Sequence, residues 1–325
     1  MPESARSAAS TGAGKRSESA RRGGGAQIAG VALTHPERVL FPSQGLTKLA
    51  LAHYYEDVAN WILPPLQRRP LSLLRCPQGS EETCFFQKHP GQAISGDIPR
   101  VSIREKAGEA PYLYVERLAD LIGLVQAGTL ELHSWGCRVD DLEHPDMLVL
   151  DLDPGPGVAW PSVLDAARSL QDRLAQLGLG GFLRTTGGKG LHIVVPLEPR
   201  ASWDGAKAFA RAVAVAHAQD DRGKFTINAS KAERPGRIFI DYLRNARGAT
   251  AIASYSTRAR EGAPVAVPVR RDELGASLTS DRYDVDSVRR RLAALRSDPW
   301  EGYEQARRPL TRKVLQAVGA ERSKR

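Results

Sequence analysis

The segment MLVLDLDPGP, residues 147–156, constrains the fold more than any other part of this chain. An apolar run ends in two aspartates separated by one leucine and then in a Pro-Gly turn. Successive strand residues point to opposite faces, so Asp151 and Asp153 share one face of a predicted strand. Such a pair can ligate two Mg²⁺ or Mn²⁺ ions roughly 3.5–4 Å apart. A solvated strand end would show the same spacing.

A second segment, FLRTTGGKGLHIVVPL at residues 182–197, places hydroxyls, glycines and a lysine between two apolar stretches. Glycines let a backbone approach phosphate closely, hydroxyls donate hydrogen bonds and lysine adds a point charge. Thr186 and Lys189 would therefore belong to a triphosphate-binding loop. The loop lacks the Walker A spacing and leads into a predicted strand instead of a helix. A hairpin with a solvated lysine fits the same residues.

A third segment, RIFIDYLRN at residues 237–245, again delivers a carboxylate, Asp241, from a β-prone apolar run. A carboxylate inside a strand is costly unless it is paired or bound to a cation. Asp241 is thus a candidate third metal ligand. The alternative is an ion pair with one of the nearby arginines, Arg237, Arg244 and Arg247.

Together these segments resemble the polymerase domain of bacterial ATP-dependent DNA ligase D, a member of the archaeo-eukaryotic primase superfamily used in non-homologous end joining. The resemblance spans roughly residues 30 to 300 and follows the family's order of segments. The family usually has serine where this chain has Thr186, and proline in the segment that contains Ser254. The segments are LTHPERVLFP, CFFQKHP, ELHSWGCRVDDLEHPD, LVLDLDP, TTGGKGLHIVVPL, IFIDYLRNARGATAIASYSTRAR and GAPVAVPV.

The resemblance implies an α+β (mixed α/β) primase-polymerase fold, in which helices flank a central mixed or antiparallel sheet that carries the acidic site. We expect this domain to occupy residues 29–300. Residues 1–28 have the Ser, Ala, Gly and Arg composition of a disordered basic linker, and residues 301–325 form a basic C-terminal extension. Apolar periodicity predicts helices over residues 46–63, 160–179, 203–219 and 283–297. Thr47 would cap the first helix, and Gly178 would end the second.

By the same resemblance, Asp151 and Asp153 bridge both metal ions, whereas Asp241 mainly serves the ion that activates the primer 3′ hydroxyl. Loss of Asp241 should then impair catalysis more than nucleotide binding. The nucleotide would be held by His133, Thr186, Lys189 and Arg258, and Phe85 would stack on a base.

Alternation along CFFQKHP predicts that one of the two phenylalanines stacks while the other packs inward. Arg38 and Lys48 match the family's basic pair for the 5′ phosphate of a gap or break, although the family often has lysine where Arg38 stands. Each could equally be a solvated surface cation. His192 is either functional or structural.

The implied activity is templated or end-adding transfer of NTPs, with ribonucleotides preferred, or of dNTPs to a primer at gapped or broken DNA, with Mn²⁺ or Mg²⁺. The implied partners are 5′-phosphorylated DNA ends, Ku, and the ligase and phosphoesterase domains of a longer enzyme. A de novo primase, a non-catalytic DNA-end-binding module and a metal-dependent nuclease are the alternatives.

Composition is consistent with a nucleic-acid partner, since the 325 residues carry a formal net charge of +9. No apolar stretch reaches membrane-spanning length and the N-terminal residues lack the apolar core of a secretory signal, so a cytoplasmic protein is expected. The resemblance implies a bacterial protein associated with the nucleoid. Cys76, Cys84 and Cys137 form no CxxC pair, which predicts reduced structural cysteines and no structural zinc.

Overall fold

The computed structural model describes residues 26–320. The predicted linker lies almost wholly outside the described residues, as do residues 321–325 of the predicted extension. No helix within the described range is both long and apolar enough to span a membrane. The helices are α1 (Lys48–Asp57), α2 (Ala59–Leu66), α3 (Leu118–Gln126), α4 (Trp160–Gln176), α5 (Trp203–Asp220), α6 (Val285–Ala294) and α7 (Arg312–Ala317).

The strands form two larger sheets and three short hairpins. They are β1 (Gln27–Ile28), β2 (Val31–Ala32), β3 (Val39–Phe41), β4 (Leu46–Thr47), β5 (Leu71–Arg75), β6 (Phe85–Gln87), β7 (Arg100–Glu105), β8 (Gly108–Leu113), β9 (Thr129–Ser134), β10 (Met147–Pro154), β11 (Phe182–Thr185), β12 (Leu191–Pro196), β13 (Phe225–Thr226), β14 (Ile238–Asp241), β15 (Ala251–Ile252) and β16 (Pro268–Val269).

The larger sheet has the order β13-β14-β10-β12-β11-β16 and is antiparallel except for the parallel β13–β14 pair. The smaller sheet has the order β15-β9-β5-β6. Helices α4 and α5 bury their apolar faces against the larger sheet, whereas α1, α2 and α3 share a second core with the smaller one. This arrangement confirms the predicted α+β fold with helices flanking a mixed sheet.

The helix predictions are confirmed, with one change at the N-terminal helix. The Thr47 hydroxyl accepts a hydrogen bond from the Ala50 amide at 3.2 Å, so the predicted cap is present. The expected single helix over residues 46–63 divides at Val58 into α1 and α2. Helix α4 stops just before Gly178, whose φ of 74° lies in the left-handed region that glycine tolerates.

The prediction of three reduced cysteines is wrong for two of them. Cys76 and Cys84 form a disulfide, with their Cα atoms 4.3 Å apart. The physical reason is strand pairing: Arg75 of β5 lies opposite Phe85 of β6, so the cysteines occupy the next position beyond that pair. Their spacing in the sequence gave no sign that β5 and β6 are neighbours. Cys137 is free and buried, as predicted.

The part of the predicted C-terminal extension that is described packs back onto the domain. The guanidinium of Arg307 donates to the Leu197 carbonyl at 3.1 Å, and Arg308 forms a β-bridge with Leu197. The Trp300 and Tyr303 rings stack with centroids 5.2 Å apart. Together with a hydrogen bond from Trp300 Nε1 to the Leu183 carbonyl at 2.7 Å, these contacts hold residues 300–308 against the larger sheet.

A buried histidine on α5 should make folding stability depend on pH. Burial, reinforced by Arg173, lowers the pKa of His217 from 6.5 to about 4, and its ring packs against Phe225. The unfolded chain therefore binds more protons between these pH values, and stability falls as the pH drops through this window. We expect a loss of about 2 kcal/mol between pH 7 and pH 5. Urea unfolding should show a shallower pH dependence for His217→Gln, whereas the exposed-site control His53→Gln should match wild type.

Candidate active site

The three predicted acidic residues come together on one face of the larger sheet. Asp151 on β10 lies directly opposite Asp241 on β14 and, on its other side, directly opposite His192 on β12. Residues paired in this way present their side chains on the same face. Asp153 follows two positions along β10 and shares that face. The register thus gathers the three carboxylates around the centre of the sheet.

An arginine that the sequence suggested only as an alternative ion-pair partner lies between two of these carboxylates. The Arg244 Nε atom is 3.3 Å from Asp241 Oδ2 and 3.8 Å from Asp151 Oδ2. As the side chains stand, no group of three or more His, Cys, Asp or Glu residues within residues 26–320 is arranged to hold a metal ion. Arg244 therefore provides positive charge where the sequence analysis placed a cation.

The charge state of the acidic cluster fits a divalent cation. Burial and the negative charges of Asp151 and Asp241 raise the pKa of Asp153 to about 6. Burial also raises the pKa of Asp241. Burial acts in the same direction on Asp151, but His192 and Arg244 outweigh it and lower that pKa. Asp151 Oδ1 is buried without a hydrogen-bond partner. Crowded carboxylates with a free oxygen are the hard ligands that Mg²⁺ and Mn²⁺ prefer.

His192, which the sequence left undecided, is fixed in one tautomer beside Asp151. The Arg184 guanidinium lies 2.9 Å from His192 Nδ1, and arginine can only donate, so Nδ1 is the acceptor. The proton of the neutral ring is then on Nε2, which lies 3.4 Å from Asp151 Oδ2. Burial lowers the pKa of His192 and favours this neutral form. His192 thus orients the Asp151 carboxylate.

The glycine-rich loop between β11 and β12 lies against the acidic strand. The Thr186 hydroxyl donates to the Gly190 carbonyl at 2.9 Å and accepts from the Gly188 and Gly190 amides at 3.2 Å, which closes the loop on itself. Lys189 is exposed at its tip. A Cβ atom on Gly190 would lie 3.0 Å from Asp151 Oδ1. Only glycine at this position lets the loop approach the carboxylates so closely.

The opposite wall of the site is organised by Glu131, a residue that the sequence analysis missed. Glu131 Oε2 lies 2.8 Å from His133 Nε2 and 3.0 Å from Arg258 Nε. Burial opposes ionisation, but His133 and Arg258 prevail and lower the pKa of Glu131 to about 2. Its signal in the sequence was the alternation in ELHS, which puts Glu131 and His133 on one face of β9.

These two walls enclose a cavity of about 220 Å³. The structure thus brings together six predicted residues from four parts of the chain. Further lining residues that the sequence analysis did not select for the site include Gly190, His192, Arg244, Thr250 and Arg260. The predicted residues that line the cavity are His133, Asp151, Asp153, Thr186, Lys189 and Arg258.

Removing the negative charge of Glu131 should disorganise this wall. In Glu131→Gln the Arg258 guanidinium loses its carboxylate, and the single remaining acceptor oxygen cannot serve the Ala259 amide, His133 and Arg258 together. Loss of such an orienting partner typically costs 10–100-fold, so we expect about a thirtyfold lower rate of nucleotide addition. Primer-extension kinetics would measure this rate. The exposed Glu304→Gln variant is the control, and an unchanged rate in Glu131→Gln would contradict the orienting role.

Both phenylalanines of CFFQKHP are exposed, so the prediction that one packs inward is wrong. Phe85 is 43% and Phe86 64% exposed, because β6 is the edge strand of the smaller sheet. The Phe86 ring lies 5.4 Å from His133 at the rim of the cavity, whereas Phe85 packs under the Arg75 guanidinium at 5.5 Å. Base stacking by Phe85 stays a prediction, and Phe86 is the nearer candidate.

Arg38 and Lys48 lie next to each other, as a joint phosphate site requires. The Lys48 amide donates to the Arg38 carbonyl at 2.8 Å, and burial together with Arg38 lowers the pKa of the Lys48 amine. The Lys48 ammonium is bonded only to neutral acceptors, with the Thr34 carbonyl at 2.8 Å. The described residues supply no ion-pair partner for either cation. Their role as a 5′-phosphate site stays a prediction.

An acidic cluster at the centre of a sheet, with a glycine-rich loop packed beside it and the His133 and Arg258 wall across the cavity, is the arrangement of a nucleotidyl-transfer type of site. The chain matches the family described as "LigD, primase-polymerase domain" over residues 47–300. The chain belongs to this family.

Individual relatives agree with this membership. The chain is 40% identical over 309 residues to the multifunctional non-homologous end joining protein LigD of Pseudomonas aeruginosa, which covers 95% of this chain and 36% of the relative. It is 34% identical to the protein of the same description from Mycolicibacterium smegmatis, and that match covers 75% of this chain and 32% of the relative. The chain thus spans about a third of the length of these curated relatives.

Among solved structures, the polymerase domain from Mycobacterium tuberculosis ligase D in complex with DNA superposes with a TM-score of 0.80. The two chains are 32% identical, and the match covers 85% of this chain and 98% of that domain. This similarity agrees with the predicted primase-polymerase fold.

Proposed function

We propose that this chain transfers nucleotides onto a primer 3′ hydroxyl at gapped or broken DNA ends during non-homologous end joining. The observation that carries the proposal is that three features line one cavity. These are the acidic face of β10, the loop at residues 186–190, and His133 and Arg258, which Glu131 holds in place. Family membership and the DNA complex of the similar mycobacterial domain support it.

The acidic cluster would hold two divalent cations, Mn²⁺ or Mg²⁺, through Asp151 and Asp153, with Asp241 joining when Arg244 withdraws. The ions would supply charge neutralisation at the attacking hydroxyl and the pyrophosphate leaving group. Lys189 and Arg258 would pair with the triphosphate, and the Thr186 hydroxyl would hold the loop that presents its amides. His133, fixed by Glu131, would contact the nucleotide sugar and phosphate.

The DNA would meet the protein on both sides of this cavity. The exposed Phe86 ring of β6 offers a flat apolar surface beside His133, on which a base can stack with about 1–3 kcal/mol of stabilisation. Arg38 and Lys48 would bind the 5′ phosphate on the far side of the gap. Two adjacent cations without carboxylate partners suit a phosphate better than a neutral ligand.

The finer points of the proposal concern nucleotide choice and assembly. We propose NTPs as the preferred substrates over dNTPs. The relatives are described as multifunctional non-homologous end joining proteins, and they are about three times as long as the matched region. We therefore propose that ligase and phosphoesterase domains lie in the same protein. We also propose Ku as a partner. Its DNA substrate would place the protein at the bacterial nucleoid.

A gap-filling assay tests the proposed function directly. A labelled primer is extended across a short gap whose downstream strand carries either a 5′ phosphate or a 5′ hydroxyl. We expect the phosphate to increase templated addition by wild type, and Lys48→Gln or Arg38→Gln to lose about tenfold of that stimulation, as removal of one charge-assisted hydrogen bond predicts. The control Lys313→Gln, which replaces an exposed lysine, should keep the full stimulation by the 5′ phosphate.

The assay also separates the alternatives. Initiation without a primer, at a rate unaffected by the 5′ phosphate, would identify a de novo primase. DNA binding without addition in any metal would identify an end-binding module. Cleavage of the labelled strand without addition would identify a nuclease.

A further inference from the structure

A second cavity, of about 250 Å³, lies on the same face of the larger sheet as the acidic cluster, because Arg184 in its wall is paired with His192, which is in turn paired with Asp151. The C-terminal residues that pack back onto the domain close it on one side, and α2 closes it on another. Its walls are largely apolar and aromatic, which is typical of sites for small molecules. The walls include Trp61, Pro64, Pro65, Met147, Trp300 and Tyr303.

One wall of this cavity carries an arginine that has no carboxylate partner. Arg184 is 3% exposed, and within the described part of the chain its hydrogen bonds go to neutral groups, the Ser254 hydroxyl at 3.2 Å and His192 Nδ1 at 2.9 Å. Its Nε atom has no hydrogen-bond partner. The Trp300 ring lies 5.8 Å from the guanidinium. A buried charge normally has an ionic partner, because desolvating it alone is costly.

A second polar group in the same wall is also unsatisfied. Tyr255 is 2% exposed, lines the cavity, and its hydroxyl has no hydrogen-bond partner. Its φ of 64° lies in the left-handed region, which a bulky residue rarely adopts. Backbone strain of this kind concentrates at binding and catalytic sites. Two buried, unsatisfied donors and a strained backbone therefore meet at one apolar cavity.

We propose that this cavity binds a small flat aromatic molecule with one carboxylate group. The carboxylate would pair with Arg184, and the remainder of the molecule would reach the Tyr255 hydroxyl, which lines the same cavity. The ring would pack between Trp300 and the prolines of α2. A cavity of about 250 Å³ has room for one or two fused rings, since one of about 150 Å³ already holds benzene.

An occupant of this cavity would be connected to the acidic site. Arg184 donates to His192 Nδ1 at 2.9 Å, and His192 Nε2 faces Asp151 Oδ2 at 3.4 Å. A carboxylate on Arg184 would compete for the guanidinium and weaken its hydrogen bond to His192. The ring nitrogen of His192 is therefore a reporter of occupancy that does not depend on catalysis.

The probe is indole-3-carboxylate, and indole-3-carboxamide is its uncharged counterpart. Calorimetric titration of the whole chain should show saturable binding of the carboxylate at least tenfold tighter than that of the carboxamide. Arg184→Met should abolish this preference. Tyr255→Phe, which removes only an unpaired hydroxyl and should fold normally, should weaken carboxylate binding about fivefold. Tyr114→Phe, outside the cavity, is its control.

The ¹⁵N signal of His192 Nδ1 should shift on addition of the carboxylate. The proposal is overturned if wild type shows no saturable carboxylate binding, or if carboxylate and carboxamide bind equally. It is also overturned if Tyr255→Phe binds like Tyr114→Phe, or if binding leaves the His192 signal unmoved, because the ligand would then lie elsewhere.

Discussion

Replacement of Asp151 by asparagine should lower templated nucleotide addition about a thousandfold while DNA binding remains. Asp151 lies opposite both Asp241 and His192, so it is the central member of the acidic cluster. Its Oδ1 atom is buried without a hydrogen-bond partner and is free for a cation. Metal-ion stabilisation of the transition state is worth several kcal/mol, and about 4 kcal/mol corresponds to a thousandfold.

The measurement is single-turnover extension of a primer across a gap with a 5′ phosphate, at saturating nucleotide. The matched control is Asp165→Asn, which removes an exposed aspartate on α4 and should leave the rate at wild type. Melting temperature and DNA affinity of each variant show whether the fold is intact. A folded Asp151→Asn protein that extends the primer within threefold of the wild-type rate would place the metals elsewhere.

The parts of the fold that the sequence predicts well are those with a strong local pattern. The run ending in Asp151 and Asp153 has strand alternation, and helices α4 and α5 have clear apolar periodicity with local start or stop signals. The convergence of Asp241 with this pair came from the family resemblance and from the cost of an unpaired strand carboxylate. The strand register then showed that Asp241 lies directly opposite Asp151.

The parts that the sequence could not predict depend on residues far apart in the chain. Glu131 has no local mark of function, since its importance comes from Arg258, which only the fold brings within 3.0 Å. Arg244 was one of several arginines near Asp241, and nothing in the spacing singled out the one that lies between Asp241 and Asp151. Side-chain partners of this kind are fixed by strand register, which short motifs do not encode.

Substitution of Gly190 by alanine should lower the rate of nucleotide addition about a hundredfold with little loss of folding stability. The added Cβ atom would lie 2.7 Å from the Leu152 carbonyl, 3.0 Å from Asp151 Oδ1 and 3.2 Å from Asp153 Oδ1. The Leu152 carbonyl is backbone in a paired strand, so the loop at residues 186–190 must move instead. A displacement of about 1 Å in a catalytic arrangement can cost a hundredfold.

This expectation rests on crowding alone, because the backbone of Gly190 lies outside the left-handed region and alanine is not strained there. Gly275→Ala is the matched control, since a Cβ at Gly275 meets nothing within 4 Å and its φ is also unstrained. Primer extension and Mn²⁺ titration calorimetry should both show a defect for Gly190→Ala and none for Gly275→Ala. A Gly190→Ala protein with wild-type activity would mean that nucleotide transfer does not need the loop held against the acidic strand. The triphosphate would then have to be bound mainly by Arg258 and the opposite wall.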